Sequence, residues 1–307
     1  MGRVLFIFLD GVGIGPPDPS LNPFFSADLP TLSQILGGRL PHLGEPEISH
    51  GDGVVFPLDP LLGVEGLPQS GTGHTALLTG ENGPALYGRH FGPWVPVTLR
   101  PLVQEKNILS QAMEQGYRCA FANAYPKEFH GSRWARRPAG PPLAAGAAGL
   151  LFRQSEDLGS GNAVSSEIVN TAWLMRLGYS HLPEITPEQA GVNLARISNR
   201  TDLTFFAHYG TDYAGHRGKM PGGVGALELV DSFLRGVLGA LSDGTLLLIA
   251  SDHGNLENIA GGHTLNPTFT LLKGPGALHL RGGRERITDV PALILDALSR
   301  NPGRTAP

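Results

Sequence analysis

Cysteine is almost absent. Cys119 stands alone in 307 residues, so no disulfide can close within the chain. Its flanks, Arg118 and Ala120 in a strand-like run, mark a buried structural thiol rather than a reactive one. Charge is sparse too: 16% of residues are charged, lysine is scarce and the net charge is −4. Such a balance does not favour a nucleic-acid backbone or an anionic membrane as partner. No apolar run reaches the length of a membrane span. The run at 4–9 is too short for the core of a secretory signal, and no cleavage site follows it. A soluble, cytoplasmic protein is expected, and composition says nothing about its oligomeric state.

What is present in quantity is glycine (43) and proline (26), scattered without a period. That pattern reads as loop-rich rather than disordered. With 41% apolar residues the chain can build a sizeable core, as one large or two small domains.

Three apolar runs read as buried strands, and each ends in a polar loop. Val4 to Leu9 leads into Asp10-Gly11-Val12-Gly13-Ile14-Gly15. The alternating glycines are wrongly spaced for a dinucleotide loop, and prolines follow where a helix is needed. Leu203 to His208 leads to Gly210-Thr211-Asp212-Tyr213-Ala214-Gly215-His216. There Asp212 and His216 share a face if a helical turn begins. Gly244 to Ala250 leads to Ser251-Asp252-His253-Gly254-Asn255, with His263 ten residues beyond His253. His208, inside its strand, reads as a core histidine.

Between the first and second of these, Ser70-Gly71-Thr72-Gly73-His74 opens a short helical pattern that stops at Gly80. A serine there is either a helix N-cap or a nucleophile whose attacked phosphate rests on free N–H groups. Shorter helices are expected at 30–36 and 187–198 and around 143–149 and 164–177, with a long one at 223–241 and a closing one at 290–298. The stretch 124–200 differs in character from its flanks. Its cluster Arg133, Arg136 and Arg137 is either a solvated basic face or a clamp for an anionic substrate.

One acidic strand end is unremarkable. Three in one α/β chain, with Ser70 and His263 added, point to a shared site. Its donor types, three Asp, three His and one Ser, suit two divalent ions with mixed oxygen and nitrogen ligands, the arrangement used for in-line phosphoryl transfer.

These motifs, in this order, resemble the alkaline phosphatase superfamily, and within it the branch of cofactor-independent phosphoglycerate mutase and phosphopentomutase. The resemblance covers residues 1–123 and the part from about 200 onward. It implies an α/β fold: a three-layer sandwich with a mostly parallel central sheet, the metalloenzyme core at 1–123 and 201–307, and a small inserted cap at 124–200. It also implies two metal sites, one built from Asp212, His216 and His263, the other from Asp10, Asp252, His253 and the Ser70 oxygen. Ser70 would be the catalytic nucleophile that is transiently phosphorylated. The expected ions are manganese or zinc, with magnesium or cobalt as alternatives, and the expected partner is a small phosphorylated substrate. Thr72, His74, Arg133, Arg136 and Arg137 are candidates for holding it, and Asn22 and Lys273 could also reach it. The short insert would retain a leaving alcohol poorly, which favours a hydrolase over a true mutase. A catalytically silent metal-binding scaffold is the reading from another class.

Overall fold

The computed structural model describes residues 2–300, apart from the side chains of His130, Arg133 and Trp134. Among the described residues seven strands form one sheet: β1 (Arg3–Leu9), β2 (Ile48–His50), β3 (Gly53–Leu58), β4 (Cys119–Phe121), β5 (Leu203–His208), β6 (Thr245–Ala250) and β7 (Thr268–Lys273). Their order is β2-β3-β7-β6-β1-β5-β4. Strands β4, β5, β1 and β6 are mutually parallel, whereas β7 runs antiparallel to β6, β3 to β7 and β2 to β3.

Continuous apolar strands are what a sheet covered on both faces requires. In β1, Val4, Phe6 and Phe8 join the core on one face while Leu5, Ile7 and Leu9 join the core on the other. Phe6 stacks on Phe205 of β5 with ring centroids 4.7 Å apart. Helices Ser70–Thr79, Ile108–Glu114, Gly140–Ala147 and Val290–Ser299 cover the first face. Helices Pro30–Ile35, Pro187–Ser198 and Lys219–Ala240 cover the second. The result is the three-layer sandwich expected. Among the described residues no helix is long and apolar enough to cross a membrane.

The stretch 124–200, expected as a small inserted cap, sends residues into both cores. Ala144 and Ala145 are buried in the first core, and Ala190, Leu194 and Ile197 in the second. Among the described residues a small cluster, Ala124, Leu158, Ala163, Trp173 and Leu182, packs by itself. The expected helix at 164–177 shrinks to Thr171–Met175, because Val164 instead bridges to Asn123 beside the sheet.

Strand β1 lies between β5 and β6, so the chain leaving these three strands emerges side by side. That edge of a parallel sheet is where ligands bind in open α/β folds. Lys273 ends β7, which runs the opposite way, so it lies at the far edge paired with Asp52. It cannot contribute to a site at the near edge.

Two glycines set the approach of helices Pro187–Ser198 and Lys219–Ala240. A Cβ on Gly191 would fall 2.1 Å from the Phe233 carbonyl oxygen, and one on Gly236 would fall 1.9 Å from that of Glu188. Both obstacles are backbone, which cannot rotate away. Gly236→Ala is therefore expected to cost about 1–3 kcal/mol of folding stability through overpacking, measured by urea unfolding of the metal-free protein.

Candidate metal centre

Asp10 follows β1 directly and is 6% exposed, while Asp252 and His253, just past β6, are fully buried. Backbone amides of the glycine loop hold them together: Gly11 N–H donates to Asp252 Oδ1 (3.3 Å), and Val12 N–H to the Ser251 hydroxyl (2.8 Å). Asp10 Oδ1 and Asp252 Oδ2 lie 3.4 and 3.5 Å from His253 Nε2. Among the described residues neither oxygen meets a backbone N–H, lysine or arginine, and only imidazoles approach them. Orphaned buried acceptors are costly unless something positive meets them. Donor type and convergence fit a divalent cation, and Asp10, Asp252 and His253 can offer ligand atoms within 4.8 Å of one another.

Asp212 and His216 lie one turn apart on helix Gly210–Arg217, which begins two residues after β5. Asp212 Oδ1 is 3.5 Å from His216 Nε2 and 3.6 Å from His263 Nε2, and the two imidazole nitrogens are 3.1 Å apart. A second set of three donor atoms therefore converges. The two sets adjoin, because the His253 and His263 rings stack with centroids 3.9 Å apart.

The tautomers suit ligation. His263 Nδ1–H donates to the Pro68 carbonyl (2.7 Å) and His253 Nδ1–H to that of Gly254 (3.3 Å). Each hydrogen bond turns Nε2 toward the carboxylates, the usual outer support of a metal-bound imidazole. His74 is the reverse case. Its Nδ1 accepts from Gly140 N–H (3.2 Å), so the neutral ring carries its proton on Nε2, 3.3 Å from Asp252 Oδ2. It is 1% exposed, and its Nε2 side faces the Asp252 carboxylate.

Ser70 begins helix Ser70–Thr79 and is 4% exposed. Gln69 holds the N-cap position and no side chain caps this helix, so the serine is not used as a cap. Its Oγ instead lies 3.0 Å from His253 Nε2. A Cβ on Gly73 would fall 3.1 Å from Asp252 Cβ, which shows how closely the helix approaches the strand end. Thr72 N–H donates to the Phe91 carbonyl, leaving Ser70 and Gly71 as the first-turn donors without a protein partner among the described residues.

The remaining candidates are placed elsewhere. The Thr72 hydroxyl bonds the backbone at Gln69 and Phe91. Asn22 stabilises its own loop through Pro16 and Phe24. Arg136 and Arg137 are exposed; Arg137 lies 4.8 Å over the ring of Trp94, whose carbonyl adjoins Gly71. Arg133 has its side chain outside the described residues. His208 is a core histidine: Nδ1–H donates to the Ser166 carbonyl (2.7 Å), and burial lowers its pKa to about 4. Burial pushes the Cys119 thiol up to about 12, as befits an inert one.

Two further residues support the centre: Asn255, which stands in the Ser251–Asn255 motif without an assigned role, and Glu257, which no motif marks. Asn255 Nδ2 donates to Asp212 Oδ1 (2.6 Å), and Glu257, fully buried, accepts from three separate places. The glycines signal both. Gly215 would meet Asn255, and Gly13 and Gly254 would meet Glu257, if any carried a Cβ. Gly15 likewise lies against Glu257, while Gly11 lies against Asp212.

Residues 181–302 match the family model of the Metalloenzyme superfamily. The 2,3-bisphosphoglycerate-independent phosphoglycerate mutase of Ruegeria pomeroyi is 33% identical over 138 residues, covering 41% of this chain and 27% of that protein. The enzyme of the same name from Chloroflexus aurantiacus is 34% identical over 140 residues, covering 40% and 26%. The matched part thus spans about a quarter of the length of these relatives. In fold, the chain resembles a protein from Pyrococcus horikoshii (TM-score 0.59, 16% identity, 99% and 98% of the two chains). It also resembles the alkaline phosphatase of the Antarctic bacterium TAB5 (TM-score 0.53, 12% identity, 97% and 98%).

The electrostatics give a pH test. Burial and the neighbouring Asp252 push Asp10 well above the usual carboxylate range. Burial alone would lower His253, but the charges of Asp252, Asp10 and Asp212 overcome it and raise the imidazole from 6.5 to about 10. Asp212, though buried, is held down to about 2 by His263, His253 and Asn255. Without a bound cation His253 is therefore protonated at neutral pH. Its stabilising contribution is complete below pH 6.5 and lost as pH rises through about 10. That of Asp212 is present above its ordinary 3.8 and lost as pH falls through about 2. A divalent ion must displace the His253 proton. Loading Mn2+ or Zn2+ at pH 7 in weak buffer is expected to release protons, read with an indicator dye, and apparent affinity is expected to rise with pH.

Proposed function

We propose, on the premise that this chain is an alkaline phosphatase superfamily metalloenzyme, that it transfers phosphoryl groups from small phosphate esters through Ser70 with two divalent ions. One observation carries the reading: a serine hydroxyl that caps no helix is buried 3.0 Å from His253 Nε2, beside buried carboxylates that only imidazoles approach. Asp212, His216 and His263 would hold one ion, and Asp10, Asp252, His253 and the Ser70 oxygen the other. Divalent ions bound there lower the pKa of a coordinated hydroxyl and offset the charge of a transferring phosphoryl group.

The chain's own groups do the rest. Ser70 loses its proton and Oγ attacks phosphorus; the Oγ–P bond forms as the ester O–P bond breaks, and the alcohol departs with a proton. The Ser70 and Gly71 N–H groups are at hand for the non-bridging oxygens. Hydrogen bonds to Pro68 and Gly254 keep His263 and His253 oriented throughout. Water then attacks the phosphoserine, breaking Oγ–P and regenerating the hydroxyl. Substrate enters over the Asp212 and His216 side, where the side chains are 20% and 43% exposed. A groove of about 480 Å3, lined in part by Leu67, Gln69, Arg89 and Phe91, lies against the chain just before Ser70.

Hydrolysis fits better than isomerisation. The stretch 124–200 gives helices to both layers, which leaves little chain to retain a departing alcohol. A true mutase acting on 3-phosphoglycerate or a pentose 1-phosphate is the second reading, supported by the relatives' activity. A silent scaffold would have no use for a buried, uncapped serine among metal ligands.

Protein loaded with Mn2+ or Zn2+ is expected to hydrolyse p-nitrophenyl phosphate, and chelator to abolish the activity. Ser70→Ala is expected to lower kcat on the order of 1,000-fold or more. Full activity in that variant would remove Ser70 as nucleophile. Coupled assays that detect isomer without free phosphate would move the assignment to a mutase.

A further inference from the structure

Glu257 is buried to 0% exposure in the loop beyond His253, yet no Lys, Arg or His forms an ion pair with it among the described residues. Four donors surround it. Oε2 accepts from Gly13 N–H (2.9 Å) and Asn255 N–H (2.8 Å), and Oε1 from the Thr264 hydroxyl and Asn266 Nδ2 (3.1 Å). Gly13 follows Asp10 in the loop after β1, Asn255 follows Asp252 and His253 after β6, and Thr264 adjoins His263. One carboxylate therefore ties together every loop that carries a ligand, apart from helices Ser70–Thr79 and Gly210–Arg217. The chain is shaped around it: a Cβ on Gly13 would fall 2.4 Å from its carboxyl carbon, one on Gly254 2.4 Å from Oε1, and one on Gly15 2.7 Å from its carbonyl oxygen.

A buried carboxylate with no cation beside it is expensive, and hydrogen bonds reduce that cost without cancelling the charge. An amide could meet the same frame, because the Thr264 hydroxyl and the Asn266 amide can both turn to accept. What an amide cannot supply is the negative charge. Asp10, Asp212 and Asp252 provide three negative charges against the four positive charges of two divalent ions. Glu257 is a fourth, adjacent and otherwise unpaired.

We propose that Glu257 is a positioning residue whose buried charge, coupled through Gly13, Asn255, Thr264 and Asn266 to the ligand-bearing loops, sets the affinity of the centre for divalent ions. The proposal rests on the divalent-metal reading of the centre, and its test is metal binding rather than turnover. Mn2+ binding is measured by titration calorimetry on the full chain, with unfolding of the metal-free protein followed in parallel. Glu257→Gln is expected to leave metal-free unfolding near that of the wild type and to weaken Mn2+ binding about 10- to 100-fold, the range for supporting groups of a metal site. Asp231→Asn is the control. Asp231 is also buried and accepts from Thr31 and Leu32 N–H (3.0 and 2.8 Å), so it loses a buried charge away from these loops. Its affinity is expected to stay within about twofold. Wild-type affinity in Glu257→Gln, or an equal loss in Asp231→Asn, would overturn the proposal.

A second measurement needs no variant. Mn2+ is expected to slow amide exchange at Gly13 and Asn255 about tenfold or more, while Thr31 and Leu32 stay unchanged. Exchange at Gly13 and Asn255 that ignores Mn2+ would contradict the coupling. A wild-type chain that binds neither Mn2+ nor Zn2+ would remove the metal-centre reading itself, and this proposal with it.

Discussion

Negative charge is concentrated where the sheet ends. Asp10 and Asp252 are almost or wholly withdrawn from water, Asp212 is largely so, and Glu257 lies beneath them. Low-dielectric surroundings amplify repulsion between such groups. No lysine or arginine pairs with any of the four among the described residues; imidazoles do what balancing there is. The upward displacement of both Asp10 and His253 is the same fact seen from two sides. A fold that keeps this arrangement is organised for cations, and a large part of the chain serves to hold the acids close.

The means of holding them are specific. Parallel pairing of β1 with β5 and β6 delivers three chain ends to one edge. Glycines then remove the side chains that would keep the loops apart. A Cβ on Gly11, whose φ is +67°, would fall 2.6 Å from Asp212 Oδ1, and one on Gly215 2.6 Å from Asn255 Cγ. Burial also grades across the site. The Asp10, Asp252 and His253 set is closed, whereas the Asp212 and His216 set opens to solvent. The Ser70 hydroxyl lies at the closed end, beside His253.

Much of this was legible in the sequence because local signals agreed with tertiary ones. The run at 4–9 is apolar at every position because β1 is covered on both faces, and Gly80 ends its helix in the left-handed conformation expected of a glycine stop (φ 79°). Asp212 and His216 do share a helical face. Side-chain direction, by contrast, is not written in spacing. Thr72 and His74 lie beside Ser70 in sequence, yet one hydroxyl turns to the backbone at Phe91 and the imidazole turns to Asp252. Lys273 failed because the reversal of β7 is a property of the sheet, not of the strand. Glu257 carried a signal only in combination, since Gly13, Gly15 and Gly254 look like ordinary loop glycines until one carboxylate is seen among them. The stretch 124–200 was least legible because its helices earn their place through contacts with distant strands.

The central claim is that two cations sit among Asp10, Ser70, Asp212, His216, Asp252, His253 and His263. Anomalous diffraction from crystals grown with Mn2+ or Zn2+, collected on both sides of the metal edge, tests it most directly. The account predicts two peaks, one bounded by Asp212, His216 and His263 and the other by Asp10, Asp252, His253 and the Ser70 oxygen. Well-ordered crystals with no peak among these residues, or with metal only elsewhere on the chain, would contradict it.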